Sequence, residues 1–259
     1  MMCGVHERAP HPSLRGAVLR YAGYEEHGPA RVQRTELPQD RVSLILNLGD
    51  PFEVEGVRHG SFVAPVDDRP ARTSFERSAR GVQVDLTPFA ARALLGLPLD
   101  ELGGALAVDL GDVLGREAAE LEERLDAAPG WEARFALLDA LLVPRLATAP
   151  APPPDAARAW ARLQATGGGV RIGALAGELG CSRRHLAARF REHVGVPPKT
   201  VARILRFRRA LALVRGGADL AATAQDCGFA DQPHLNREFR ALAGATPVTF
   251  VQDGTAAAA

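Results

Sequence analysis

Two short stripes of arginine, asparagine and glutamine carry most of the chemistry that this 259-residue chain can do. In the first, Arg184, Ala187, Ala188 and Arg191 recur at i, i+3, i+4 and i+7, which is one face of an α-helix. In the second, Pro233, Asn236, Arg237 and Arg240 repeat that spacing, with Gln232 beside Pro233. A guanidinium presents a planar fork of donors that matches O6 and N7 of guanine. A carboxamide presents a donor and an acceptor that match adenine, and each such pair gives about 1–3 kcal/mol of discrimination. The two alanines leave room for close approach and suit a thymine methyl. A solvated face of ordinary arginines is the competing reading, but it gives no reason for the face to occur twice.

The elements that must position these stripes are themselves repeated. Ala176 and Gly180 match Ala224 and Gly228 at an offset of 48. After a one-residue insertion in the turn, His185, Leu186, Phe190, Gly195, Pro198 and Val201 match His234, Leu235, Phe239, Gly244, Pro247 and Phe250 at an offset of 49. Each copy reads as a short amphipathic helix, a glycine turn and a second helix. Ile172, Leu175, Ala176 and Leu179 form the first stripe and Leu220, Thr223, Ala224 and Cys227 its counterpart. Glycine suits the left-handed residue that ends a helix. Ser182 and Asp231 stand where an N-cap belongs, and Pro233 falls in the first helical turn, where proline is tolerated. This is the layout in which a second helix enters the major groove. Between the copies, Thr200–Gly216 reads as one continuous helix, buried along Val201, Ile204, Leu205 and Leu211 and basic at Arg203, Arg206 and Arg209. Such a rod would set the two reading helices one duplex turn apart, about 34 Å.

Residues 156–251 resemble the DNA-binding domain of the AraC family of transcription regulators. The resemblance rests on Ala224-Gln-Asp-Cys-Gly-Phe-Ala-Asp-Gln-Pro-His-Leu-Asn-Arg-Glu-Phe239, on Gly244-Ala-Thr-Pro247 with Phe250, and on Arg206-Phe-Arg-Arg-Ala210 in the connector. It implies base contacts from Arg184 and its neighbours in the first unit and from Gln232 and Arg237 in the second. Taken with the helical faces, the expected base-reading set is Arg183, Arg184, Ala187, Ala188, Gln232, Asn236 and Arg237. Ser182, Arg191, Lys199 and Arg240 are expected on the phosphate backbone. Family members often carry larger polar residues at the positions of Ala187 and Ala188, so hydrogen-bonded readout by the first helix is expected to be sparse.

Charge and composition set the frame. The net charge of the chain is zero, yet residues 155–259 hold 15 basic against 8 acidic residues and residues 1–154 hold 16 against 23. The expectation is an acidic domain joined to a basic one that meets a polyanion, with uneven surface decoration as the alternative. Four prolines between Thr148 and Asp155 deny the backbone donors and helical geometry, so 148–155 reads as a semi-rigid linker. The expected domains are 1–147 for effector sensing or dimerisation and 156–254 for DNA binding.

Upstream of the linker, short apolar runs at Leu14–Tyr21, Val42–Leu48, Ser61–Ala64 and Gly81–Thr87 are separated by turn formers. They predict a small β-barrel or sandwich. Two helical stripes follow, Leu114, Ala118, Leu121 and Leu125, then Trp131, Phe135, Leu138, Leu142 and Leu146. The tight Ala128-Pro-Gly130 break makes them a hairpin, serving either as core or as a dimer face. The fold class expected is therefore multidomain α+β, with an all-α double helix-turn-helix domain at the C-terminus.

Other chemistries lack their residues. Cys3, Cys181 and Cys227 lie far apart, and no C-x-x-C pair, phosphate loop, nucleophile elbow or H-E-x-x-H occurs. His6, His11, His27 and His59 are scattered, whereas His185 and His234 hold equivalent repeat positions suited to packing and capping. No enzyme, metal or cofactor is expected. The first residues have no apolar signal core and no run nears the ~18 apolar residues of a membrane helix, so the expectation is a soluble, cytoplasmic protein. Expected partners are double-stranded DNA, a small-molecule effector or a protein at the N-terminal domain, RNA polymerase, and a second copy as homodimer. An N-terminal enzyme fused to a DNA-targeting domain is the remote alternative.

Overall fold

The computed structural model describes residues 2–28, 30–102 and 104–252. The chain divides into two compact units that are not continuous in sequence. The first is Met1–Gln33, Arg41–Pro65 and Thr73–Ala151; the second is Arg34–Asp40, Val66–Arg72 and Pro152–Ala259.

Among the described residues, ten strands dominate the N-terminal part: β1 (Met2–Arg8), β2 (Val18–His27), β3 (Val32–Glu36), β4 (Val42–Asn47), β5 (Phe52–Val54), β6 (Val57–His59), β7 (Phe62–Ala64), β8 (Ala71–Phe75), β9 (Ser78–Leu86) and β10 (Val108–Asp109). They build a six-stranded sheet in the order β1-β2-β9-β4-β7-β10 and a four-stranded one in the order β3-β8-β5-β6. The two-sheet architecture agrees with the expectation from the apolar runs. Alternation decides which face is inner: Val42, Leu44 and Leu46 of β4 are buried while Ser43, Ile45 and Asn47 are less so. Across the sheet Ser43 and Arg20 both stand opposite Asp85 in register. That carboxylate is 1% exposed, accepts from Ser43 and Gln83 at 2.7 and 2.8 Å, and pairs with Arg20 and Arg41 at 3.2 and 3.1 Å. Two cations and two neutral donors offset the cost of burying the anion.

Four helices accompany these strands: α1 (Pro88–Leu95), α2 (Leu110–Leu114), α3 (Arg116–Ala127) and α4 (Trp131–Ala147). Pro88 occupies the first turn of α1 behind the Thr87 cap, where the missing N–H is of no consequence. The predicted hairpin is α3 and α4, burying Ala118, Leu121 and Leu125 on one arm and Phe135, Leu138 and Leu142 on the other. Trp131 lies flat on Gly23, so close that a Cβ there would stand 2.4 Å from the ring. His6 stacks on the same ring at 4.9 Å, and the Arg134 guanidinium lies 4.8 Å from its centre. The Tyr21 hydroxyl donates to Asp139 at 3.0 Å, and burial pushes its pKa to about 12 against the opposing pull of Arg8.

The second unit holds α5 (Pro154–Ala165), α6 (Ile172–Glu178), α7 (Arg183–Val194), α8 (Pro198–Arg215), α9 (Leu220–Asp226), α10 (Gln232–Ala243) and α11 (Pro247–Gln252). Helix α5 starts at Pro154, inside the stretch that had read as linker, because proline suits a first helical turn. Helix α8 is the central rod, and α5, α7, α9, α10 and α11 all pack on it. Phe190 in one half and Phe207 and Phe239 in the other are fully buried, each contributing about 1.5–3 kcal/mol relative to an exposed ring. Leu37, from the 34–40 segment, is a member of the second half's core beside Phe207, Leu211 and Phe239.

Candidate nucleic-acid interface

The repeat folds as two helix-turn-helix units, α6–α7 and α9–α10. Gly180 and Gly228 turn between the helices at φ +67° and +72°, a conformation in which a Cβ is strained. Ser182 then caps α7, its hydroxyl accepting from the His185 N–H at 3.1 Å. Asp231 caps α10, accepting from the His234 N–H at 2.7 Å. The cap and the buried residues together fix the rotation of each reading helix. Leu186, Phe190 and Val194 go inward on α7, as do Leu235, Phe239 and Leu242 on α10.

The opposite faces hold the expected residues. Arg183, Arg184, Ala188, Arg191, Gln232, Arg237 and Arg240 are exposed, as is Lys199 in the first turn of α8. Ala187 is half-buried. Among the described residues, the side chains of Arg183, Arg184, Arg191, Lys199, Arg237 and Arg240 form no ion pair or hydrogen bond. Some other arginines of the unit do: Arg162 meets Glu178 at 3.1 Å, Arg189 meets Glu192 at 3.3 Å, and Arg203 meets both Asp68 and Glu238. Acidic residues thus neutralise part of the unit's positive charge but leave the reading faces unmatched. Fork-shaped donors in that state suit phosphate oxygens and guanine edges.

Two residues behave differently from a plain exposed face. The Ser182 hydroxyl is engaged in its cap, so a phosphate contact there would share an oxygen already accepting a bond. Asn236 is half-buried, and its Oδ1 is enclosed with no hydrogen-bond partner. Its carboxamide must turn outward before it can meet a base edge.

The histidines serve the framework, as their repeat positions suggested. His234 Nδ1 accepts from the Ala230 N–H at 3.2 Å, and its ring meets Phe229 edge-on at 5.4 Å. His185 faces Asp155 at 3.3 Å, tying α7 to the start of α5. Burial works against the charge of Asp155. The Ala156 N–H and His185 outweigh it, with nearby Arg189 adding to them, and hold the carboxyl below its ordinary pKa. Cys227 is buried in the second core, and burial raises its thiol pKa, as befits a small apolar filler. Sequence reasoning missed the Arg203–Glu238 pair at 2.6 Å, which bolts α8 to α10. The only signal available was a lone acid on an otherwise basic reading helix.

The duplicated capped unit, its unneutralised arginine faces and the shared rod define a class, that of DNA-binding transcription regulators with paired helix-turn-helix units. A family model described as a helix-turn-helix domain matches residues 175–253. This C-terminal part of the chain is a helix-turn-helix domain. No curated protein matches the chain. Solved structures similar to it include ToxT from Vibrio cholerae O395 bound to (E)-4-(8-methylnaphthalen-1-yl)but-3-enoic acid, at 12% identity over 91% of this chain and 98% of that one, with a TM-score of 0.48. Another is the C-terminal domain of AraT, a response regulator from Geobacillus stearothermophilus, at 17% identity over 40% of this chain and 88% of that one, TM-score 0.38. A third is the AraC-like transcriptional activator CuxR, at 17% identity over 87% and 90%, TM-score 0.24. Among the described residues, no helix is long and apolar enough to cross a membrane.

Proposed function

We propose that one chain reads two successive major-groove segments of a duplex, α7 in one and α10 in the next, about ten base pairs apart. Arg183, Arg184, Gln232, Asn236 and Arg237 meet base edges, and Ala187 and Ala188 pack against thymine methyls. Ser182, Arg191, Lys199 and Arg240 meet phosphates. The observation that carries this reading is the pair of equivalent, capped helices whose exposed faces each carry cations that, among the described residues, make no ion pair. Selection of bound duplexes from a random pool by the full chain tests it. The expected product is a bipartite, non-palindromic site with half-sites about one turn apart. A pool that stays random, or a single half-site, sinks the reading.

The first unit is proposed as the place where a ligand or a protein partner modulates that binding. An open groove of about 630 Å3 lies there, floored by Trp131 and walled by Val5, His6, Glu7 and Glu132. Its size falls in the range of small-molecule sites. A metabolite that raises the melting temperature of the protein and loses its effect on Trp131→Ala would place the effector in the groove. Silence across a broad metabolite library favours the interaction-module reading. The protein acts where the chromosome is, in the cytoplasm, with RNA polymerase as its downstream partner.

A further inference from the structure

The second unit includes two segments from far upstream, 34–40, the end of β3 and the turn that leads to β4, and 66–72, the turn after β7 with the start of β8. They are held by three separate anchors. Leu37 is 7% exposed within the core formed by α8, α9, α10 and α11. Asp40 binds Arg208 of α8 and also accepts from Gln164 of α5 at 2.7 Å. Asp68 meets Arg203 of α8 at 2.7 Å, and the same guanidinium meets Glu238 of α10 at 2.6 Å. Burial works against the Arg203 charge, but its bonds to Glu238 and Asp68 outweigh that and hold its pKa above the ordinary value.

We infer that these segments form a clip that positions the second reading helix, so that the working DNA-binding module is discontinuous in sequence. The inference rests on the reading of α10 as a DNA-contacting helix. Asp68, Arg203 and Glu238 make a charge chain of alternating sign that runs from the 66–72 segment, through the rod, to the helix that carries Arg237. Without Asp68, Arg203 keeps Glu238 but loses the anchor that fixes where the pair sits. Without Asp40, α5 and α8 lose a shared acceptor. Without Leu37, the second core keeps a void beside Phe207 and Phe239. Arg203 is therefore a positioning residue for α10, acting through Glu238. Asp40 is followed in the chain by Arg41, which pairs with buried Asp85 of β9, so consecutive residues are anchored one in each unit. Any change that shifts the end of β3 or the start of β4 draws on the same short stretch of backbone.

The test uses the full chain carrying Asp40→Asn with Asp68→Asn, and separately Leu37→Ala. Hydrogen exchange is followed by peptide, with DNA affinity on duplexes altered in one half-site at a time. The expected result is exchange about ten-fold faster in α8 and α10, equal to about 1.4 kcal/mol of local opening, with α3 and α4 unchanged. Discrimination should fall for the half-site read by α10 and persist for the one read by α7. The exchanged pair Asp40→Arg with Arg208→Asp should restore protection relative to either single change. Unaltered exchange in α8 and α10 overturns the inference, and so does faster exchange with discrimination intact at both half-sites. If the unsubstituted chain shows no sequence preference at all, the DNA-reading assignment fails while the exchange arm still reports on the clip.

Discussion

The two helix-turn-helix copies share a frame and differ in what they offer a duplex. Copy one presents Arg183, Arg184 and Arg191 around two alanines, and its cap is a neutral serine. Copy two presents Gln232, Asn236, Arg237 and Arg240, its cap is an aspartate, and a proline stiffens the first turn. Its core takes in Phe207, Phe229 and the upstream Leu37. The comparison separates two tasks that a single helix would have to combine. On the proposed reading, copy one supplies positive charge and a shallow surface that lets the DNA backbone approach. On the same proposed reading, copy two supplies most of the hydrogen-bonding specificity, on a more rigid support.

The comparison can be broken first at the cores. Phe190→Ala and Phe239→Ala should each cost about 3–5 kcal/mol of stability, with Phe239 the larger because it also meets Phe207 edge-on at 5.1 Å. Urea midpoints with unchanged m-values would show it, and a larger loss at Phe190 would reverse the assigned rigidity. Next come the readers. Arg237→Ala should lose about 1–3 kcal/mol on the selected site while sparing binding to random duplex, and Arg184→Ala should lose less. Fluorescence anisotropy on both duplexes decides; equal losses at the two arginines would make the copies equivalent readers.

Caps come third, at about 1 kcal/mol each. Asp231→Ala should exceed Ser182→Ala because a carboxylate also meets the positive end of the helix dipole. Melting temperatures at low ionic strength check the order. Phosphate contacts are smaller still in their effect on sequence preference. Arg191→Ala or Arg240→Ala should each lower the slope of log affinity against log salt by about 1 and leave preference intact.

The smallest effect is one of pH. The folded-state pKa of Asp155 lies below its unfolded value, so its contribution to stability is present above about pH 4 and fades as pH falls through the folded value. Asp155→Asn should flatten the acid limb of the stability profile slightly and leave neutral pH nearly untouched. An unchanged acid limb would show that the His185 contact holds nothing.

Much of this was legible in the sequence because the determinants are local. A glycine at positive φ, a cap residue and an apolar stripe act within a few residues of one another, so Gly180, Ser182 and Leu186 announce their unit, and Gly228, Asp231 and Leu235 repeat it. The α3–α4 hairpin was readable for the same reason. Proline misled at Pro154, which reads as linker although it opens a helix at the one place that tolerates a missing N–H. The membership of 34–40 and 66–72 in the second unit could not be read. Leu37 lies between Glu36 and Pro38, with no periodicity to announce burial, and its partners are some 170 or more residues downstream. A single aspartate in a loop likewise gives no sign of which arginine it will meet.

The chain holds two tryptophans, one in each unit. Trp131 is pressed on the bare backbone of Gly23 between a histidine and an arginine, whereas Trp160 sits 6.2 Å from Phe190, behind the reading surface of α7. Their fluorescence is therefore a built-in pair of lamps. Replacing either by phenylalanine leaves the other to report alone, one on the groove where an effector is proposed to enter and one on the helix proposed to approach the duplex. Stopped-flow traces from the two single-tryptophan proteins would show which unit moves first.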